Sequence, residues 1–332
     1  MKQRVLVVAL IAVVALLIVI VSFKTPKAAV LLLEDGQTEF REGVEEYVKQ
    51  NNLKVDLVTV RIDQDAEQVD KVLRRYSGGY AIGPRLSSQA LALIPYLEKH
   101  QIFTIAPLVT SPRVVGKSRY LMTLSVSDDV QAKELAERIR NDSNERVFVV
   151  CDKGNLVYTE SFFQIMKETV PLSFECCYIE SIEDLSDLNF QQYNAIALIV
   201  DGRVAGMIAQ LARKKGFTGK IYCSDYAYTD ALITTGSWAV EGISIYGLFD
   251  LSQMISHGYT EIGPAGGYDA LMVIWNLISA KVKTNEAHDY LQGKAFKGAS
   301  GTFTVRSDLS AERLTTFVTV KNEQFVVDEV KR

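Results

Sequence analysis

The sequence predicts an α/β protein of two doubly wound, parallel-sheet lobes preceded by an N-terminal transmembrane helix. Three observations carry that expectation. From Ala28 onward, short apolar runs alternate with amphipathic stretches, the pattern of βαβ units building parallel sheets. That series runs once, restarts near Asp128 and meets no low-complexity linker, and 332 residues suit two lobes of about 120 to 150 residues each. Ahead of it, Val5 to Phe23 is a run of 19 residues in which only Ser22 is polar.

The apolar run comes first in the chain. As a helix it spans about 28 Å at about 1.5 Å per residue, close to the ~30 Å hydrocarbon core. Phe23-Lys24-Thr25-Pro26-Lys27 follows it, with neither a small-x-small cleavage site nor a lipobox cysteine. Residues 1–27 are therefore expected to form an uncleaved signal anchor rather than a removed signal peptide. Lys2 and Arg4 on one side balance Lys24 and Lys27 on the other, so charge sets no orientation.

Within the first lobe, Ala29 to Leu33 reads as a buried strand, and Phe40, Val44, Tyr47 and Val48 mark one face of a helix over 40–51. Lys54 to Val60 is a second strand and Val69 to Tyr76 the core of a second helix. Tyr80 to Gly83, Ser88 to His100 and Phe103 to Ala106 then give strand, helix and strand. The second lobe repeats the alternation. Helices are expected at Asp128 to Arg140, Tyr158 to Glu168 and Val204 to Lys215, with strands at Arg146 to Cys151, Phe174 to Ile179, Ala195 to Val200, Ile221 to Cys223 and Ile243 to Tyr246. A long helix from Pro264 to Lys281 and a shorter one at Ala287 to Gln292 follow. The tail has strand periodicity at Thr302 to Val305, Thr315 to Val320 and Gln324 to Val327.

Composition narrows the function. The formal net charge is −4 and no basic stripe exists, so nucleic acid is not an expected partner. Cys151, Cys176, Cys177 and Cys223 contain no C-x-x-C, and His100, His257 and His288 are scattered, so no zinc spacing and no metal site is expected. The cysteines read as buried thiols on strands; a disulfide such as Cys151 with Cys177 is the alternative in an oxidising compartment. G-x-S-x-G, Walker A, G-x-G-x-x-G after a strand and H-E-x-x-H are absent, and no carboxylate pair stands out, so neither an enzyme nor a cofactor is expected.

Several short motifs occur in order along the chain. Tyr80-Ala-Ile-Gly-Pro-Arg-Leu-Ser-Ser88 and Ile105-Ala-Pro-Leu-Val-Thr-Ser-Pro112 come first, then Ser125-Val-Ser-Asp-Asp129 and Tyr158-Thr-Glu-Ser-Phe162. Tyr268-Asp-Ala270 and Phe296-Lys-Gly-Ala-Ser-Gly301 complete the set. Together they resemble the signatures of type I periplasmic binding proteins, in the branch that serves ABC transporters for branched-chain and other amino acids. The resemblance covers nearly all of the chain after Ala28. It implies two lobes around a cleft with three hinge crossings, near 121–126, 247–252 and 298–305. The first lobe would hold 28–124 plus about 252–300, and the second 125–251 plus about 301–332. The loop Glu34-Asp35-Gly36-Gln37 and the helix between Ala66 and Ser77 are shorter than the family pattern.

Ligands of open α/β sheets lie beyond the carboxyl ends of strands, at helix N-termini. Ser87 and Ser88 sit at such a point, where hydroxyls, free N–H groups and the helix dipole suit a carboxylate. Locally they read equally as ordinary N-caps; the resemblance makes them the family's carboxylate-binding pair. It also implies that Thr110 adds a hydroxyl, the Leu108 carbonyl faces a ligand ammonium, Tyr158 closes the cleft and Asp225 pairs with the ammonium. Arg85 departs from the pattern and either points to solvent or holds an extra acidic group on the ligand. Tyr226, Tyr228 and Trp238 line the site or pack in the core.

The resulting expectation is an extracytoplasmic solute-binding protein, anchored in the inner membrane with its body outside. It would capture a small amino acid or related carboxylate for an ABC permease or a membrane sensor such as a kinase. The rival is a binding-protein fold without ligand, used as a protein-interaction scaffold.

Overall fold

The computed structural model describes residues 28–142 and 144–331. The anchor expected over Val5–Phe23 lies outside them. Among the described residues no helix is long and apolar enough to cross a membrane.

The first sheet is fully parallel. It orders β1 (Ala28–Glu34), β2 (Val55–Arg61), β3 (Tyr80–Ile82), β4 (Phe103–Ala106) and β5 (Leu121–Thr123) as β2-β1-β3-β4-β5. Helices α1 (Arg41–Gln50), α2 (Ala66–Arg75) and α3 (Ser87–His100) make the crossovers. Both faces of this sheet are covered, which explains why β1 reads as an unbroken apolar run. Its side chains alternate between two cores. Val30 and Leu32 pack with Phe103, Ile105 and Met122, whereas Leu31 and Leu33 pack with Val69, Leu73, Leu93 and Leu97.

The second sheet has the order β15-β14-β10-β9-β8-β6-β7. Strands β6 (Arg146–Asp152), β7 (Ser173–Ile179), β8 (Ala195–Ile199), β9 (Lys220–Cys223) and β10 (Ser244–Gly247) are parallel. Helices α4 (Asp128–Asn141), α5 (Leu156–Thr169), α6 (Gly202–Lys214) and α7 (Asp230–Gly236) belong to this lobe, followed in the chain by α8 (Leu251–Ser256). The sheet departs from a purely parallel one at its edge. Strand β14 (Thr315–Lys321) runs antiparallel to β10, and β15 (Gln324–Lys331) antiparallel to β14. Only Asn322 and Glu323 separate the last two strands, with φ of 51° and 57°. A two-residue turn with both φ positive joins antiparallel strands only.

Helix α9 (Ile262–Ser279) returns to the first lobe and crosses α1 at backbone distance. A Cβ on Gly43 would lie 1.8 Å from the Pro264 carbonyl oxygen, and one on Gly267 2.1 Å from that of Phe40. Only glycine permits that approach. Gly267→Ala is expected to destabilise the fold by about 1–3 kcal/mol or more through overpacking. An unchanged urea midpoint would refute that close packing.

After α10 (Ala287–Leu291), strands β11 (Ala295–Gly298), β12 (Gly301–Val305) and β13 (Ala311–Arg313) form a small antiparallel sheet. Its Phe303, Val305, Leu309 and Ala311 share a core with Val30, Ile82 and Ile274. Residues 301–313, expected in the second lobe, therefore pack in the first. The last crossing falls near residue 314, not within 298–305. The reason is hairpin pairing, which holds β12 and β13 on the same side as β11.

All four cysteines are free and lie on β6, β7 and β9. The Cys151 and Cys176 sulfurs are 3.6 Å apart, so the Cys151–Cys177 proximity considered from sequence is not formed. In the β6–β7 ladder Val149 faces Cys176 and Cys151 faces Tyr178. Cys176 thus shares the Cys151 face, and Cys177 points to the other.

Candidate functional site

Beyond the carboxyl ends of both sheets lies a cavity of about 680 Å³, lined from the two lobes. The first-lobe wall starts where β3 ends. Gly83, at φ +99°, turns the chain against the Leu33 carbonyl, and α3 opens four residues later at Ser87. Beside it, the loop after β4 brings in Leu108 and Thr110. The Ser125 hydroxyl donates to the Pro107 carbonyl at 2.6 Å and the Asp128 N–H to the Thr110 carbonyl at 3.0 Å, which fixes that loop to the start of α4.

The second-lobe wall is built by α5, the turn after β9 and the N-terminus of α6. Tyr158 and Asp225 are buried there, and the Tyr158 hydroxyl donates to Asp225 Oδ1 at 2.8 Å. The Asp225 N–H donates to Gln131 Oε1 at 3.0 Å. Burial pushes the Asp225 carboxyl up to about 6, against the hydrogen bonds from Tyr158 and Gln131 that favour its charge. Burial and the neighbouring acids Asp225 and Asp128 likewise push the Tyr158 phenol well up. Asp201, the N-cap of α6, accepts from the Arg203 and Val204 N–H groups and also lines the cavity.

The residues singled out from sequence are gathered here with one exception. Ser87, Leu108, Thr110, Tyr158, Asp225 and Arg85 line the cavity. Ser88 does not. Its N–H and hydroxyl both donate to Asn155 Oδ1, at 3.2 and 3.0 Å, across the lobes. One residue along a helix turns about 100°, so neighbouring serines at α3 cannot share one direction. Arg85 turns inward, with Nε 3.2 Å from Asp35 and Nη1 3.5 Å from Glu39. Burial works to raise Asp35, but the Gln89 amide and Arg85 outweigh it and hold that carboxyl low. Tyr226 lines the cavity; Tyr228 packs on Phe325 in the core, and Trp238 is exposed.

Three contributors were not singled out from sequence. Asn155 had an available signal, a residue type suited to helix N-termini directly before the helix that carries Tyr158. Glu39 and Glu261 had none, since they lie far apart in the chain and meet only because α9 crosses α1. Around Glu39, burial first and then the charges of Asp35, Glu261 and Asp201 raise its carboxyl, while Arg85 opposes them. The cavity wall is thus rich in acids: Glu39, Glu183, Asp201, Asp225 and Glu261, against Arg85 and Arg203. Among the described residues no three His, Cys, Asp or Glu side chains are grouped to hold a metal ion.

No family model matches this chain, and no curated protein does. Solved structures do. A leucine-binding protein LivK from Thermotoga maritima superposes with a TM-score of 0.80 at 20% identity, over 92% of this chain and 98% of its own. The branched-chain amino acid transporter substrate-binding protein LivJ from Streptococcus pneumoniae, in complex with isoleucine, gives 0.81 at 16% identity, over 92% and 99%. An ABC-transporter solute-binding protein from Rhodopseudomonas palustris, in complex with 3,4-dihydroxybenzoic acid, gives 0.80 at 10% identity, over 92% and 97%. By near-complete superposition on these structures, the described chain has the type I periplasmic-binding-protein fold.

Proposed function

We propose that this chain is an extracytoplasmic solute-binding protein that captures a small amino acid or related carboxylate between its lobes, for an ABC transporter or a membrane sensor. The observation that carries this is the two-sided cavity. One wall offers the Ser87 helix N-terminus and the Thr110 hydroxyl to an anion, and the other offers Asp225 and Tyr158 to a cation. Such a zwitterion bridges both walls and favours the closed arrangement by its differential contacts. The ligands of the structural neighbours, isoleucine in one and 3,4-dihydroxybenzoate in another, are of matching size class. The role is binding rather than catalysis, and the lobes are taken as 28–124 with about 252–313, and 125–251 with about 314–332. Val5–Phe23 would tether the body to the membrane on its outer side.

A melting screen of the full chain against amino acids and small carboxylates tests the reading. A bound solute at 100 times its dissociation constant is expected to stabilise the fold by about 2.7 kcal/mol, a rise of a few degrees. Small-angle scattering should show a smaller radius of gyration with the same solute. Neither a shift nor compaction across the screen would sink the receptor reading and favour a scaffold.

A further inference from the structure

The pole of the first lobe farthest from the cavity carries charge that the cleft does not use. It is built from the connections at the amino ends of β1 to β5, since all five strands are parallel and the cavity lies beyond their carboxyl ends. Hydrogen bonds gather these connections into one surface. The Gly78 N–H donates to the His100 carbonyl at 2.9 Å, the Tyr80 hydroxyl to the Val282 carbonyl at 2.6 Å, and the Arg119 guanidinium to the Asn285 carbonyl at 2.8 Å. Lys54, Arg74, Arg75, Lys117, Lys281 and Lys283 are exposed there, beside the acids Glu98 and Glu286. Ion pairs at this end take up Lys99, with Asp70, and Arg119, with Asp289, and leave those six cations unpaired among the described residues.

Helix dipoles explain only part of this charge. Arg74 and Arg75 lie in the last turn of α2, where a base complements the negative helix end. Lys54, Lys117, Lys281 and Lys283 lie in connections between elements. The matching pole of the second lobe is the comparison within the molecule. Its helices also end on bases, Arg140, Lys167 and Lys214, but its connections carry Asp142, Glu145, Glu241 and Glu323 against Lys215.

We propose that the basic pole of the first lobe is a docking surface for anionic phospholipid headgroups, so that this lobe rests on the bilayer and the second stands away from it. The inference rests on the reading of Val5–Phe23 as a membrane anchor.

The occupant follows from where the chain enters the described body. Strand β1 begins at Ala28, on this pole, and only Lys24 to Lys27 separate it from the apolar run. Four residues reach at most about 14 Å when fully extended. The headgroup layer accounts for about 5 to 7 Å of that on each side of the hydrocarbon. Ala28 is thereby held within about 10 Å of the lipid charges, roughly a Debye length at 0.1 M salt, where attraction is not screened out. Each basic residue so placed is worth roughly a fivefold gain in binding to an anionic surface. The six cations come from four separate segments of chain, which suits an extended sheet of charge rather than a single anion. With the first lobe held on the lipid, closing the cleft moves the second.

The test uses the full chain in nanodiscs of phosphatidylcholine alone and of phosphatidylcholine mixed with phosphatidylglycerol. Lysine acetylation read by mass spectrometry reports exposure site by site. Lys54, Lys117, Lys281 and Lys283 are expected to react at least about threefold more slowly in the anionic discs. Lys167 and Lys214 on the second lobe should react alike in both, and raised salt should abolish the difference on the first. The triple substitution Lys54→Glu, Lys117→Glu and Lys283→Glu is expected to remove the slowing at Lys281. Equal rates in the two discs, or equal slowing on both lobes, overturns the docking surface and leaves the anchor and the receptor intact. A chain that does not stay with the neutral discs overturns the anchor. Flotation of that chain with phosphatidylglycerol vesicles then decides the surface: capture that the triple variant loses upholds it, and no capture overturns it. If the triple variant fails to fold, the salt dependence and the contrast between lobes in the wild type decide alone.

Discussion

Asp269→Ala is expected to lower the unfolding free energy by about 3–5 kcal/mol, the usual effect of removing one member of a buried charged network. Asp269 is completely buried on α9, where Oδ1 accepts from the Ala299 N–H at 2.6 Å and Oδ2 accepts from the Ser300 N–H at 3.1 Å and from its hydroxyl. Through Ser300 it reaches Arg313, whose guanidinium donates to the Ser300 backbone and hydroxyl and, at 3.0 Å, to the Leu124 carbonyl. That guanidinium also lies 4.3 Å from the Phe249 ring centroid and 5.5 Å from that of Phe303. Leu124, Phe249 and Arg313 each stand at a place where the chain passes from one lobe to the other, so one buried cation ties together all three passages. Alanine at 269 leaves two backbone donors and a hydroxyl without their acceptor, and removes the negative charge that interacts with the Arg313 guanidinium. Urea denaturation of wild type and variant measures the difference. A loss below about 1 kcal/mol would mean the network relaxes around water, contrary to the burial described.

How far such features can be read without coordinates depends on whether their signal is local. Strand β1 and helix α1 are legible because burial on both faces, or on one stripe, writes a period into adjacent residues. Strands β5 and β13 and helix α8 are too short to show a period. The strand character of residues 315–327 was readable, but not the antiparallel direction, which follows from the Asn322-Glu323 turn. That residues 301–313 pack with the first-lobe core is not legible in sequence, because a hairpin's partner is set by pairing, not by position in the chain. In the site, Ser87, Leu108, Thr110, Tyr158 and Asp225 came from motifs that resemble a family, and the structure brings all five to one cavity. Ser88 shows the limit of that route, since a motif does not specify which of two adjacent hydroxyls turns toward Asn155. Glu39 and Glu261 had no local signal, because they lie far apart in the chain and share the cavity wall only where α9 crosses α1.

Asp225→Ala is expected to weaken binding of an amine-bearing solute by about 2–5 kcal/mol, since the ammonium would be buried without its counter-charge. Calorimetry on wild type and variant reads this directly, and a change under about 0.5 kcal/mol would remove Asp225 from the site. Asp225→Asn separates charge from shape, because an amide oxygen still accepts from the Tyr158 hydroxyl that now sits 2.8 Å from Oδ1. The same variant should behave in the opposite sense without ligand. Burial raises the Asp225 carboxyl from its ordinary value to about 6 in the folded chain. A raised folded-state pKa contributes stability that is complete below the unfolded value, near 4, and is lost as pH rises through about 6. At pH 7 the empty protein therefore holds this carboxylate ionised at the expense of its own stability. Asp225→Asn escapes that penalty, so it should melt above wild type at pH 7, with the gap closing toward pH 4. Melting curves at pH 4, 5, 6 and 7 test it, and a gap that does not shrink on acidification would contradict the burial of this charge. A residue that weakens the empty fold while strengthening the occupied one marks where stability gives way to function. On the proposed function, a bound amine would restore what ionisation of Asp225 takes away and couple occupancy of the cleft to the stability of the whole molecule.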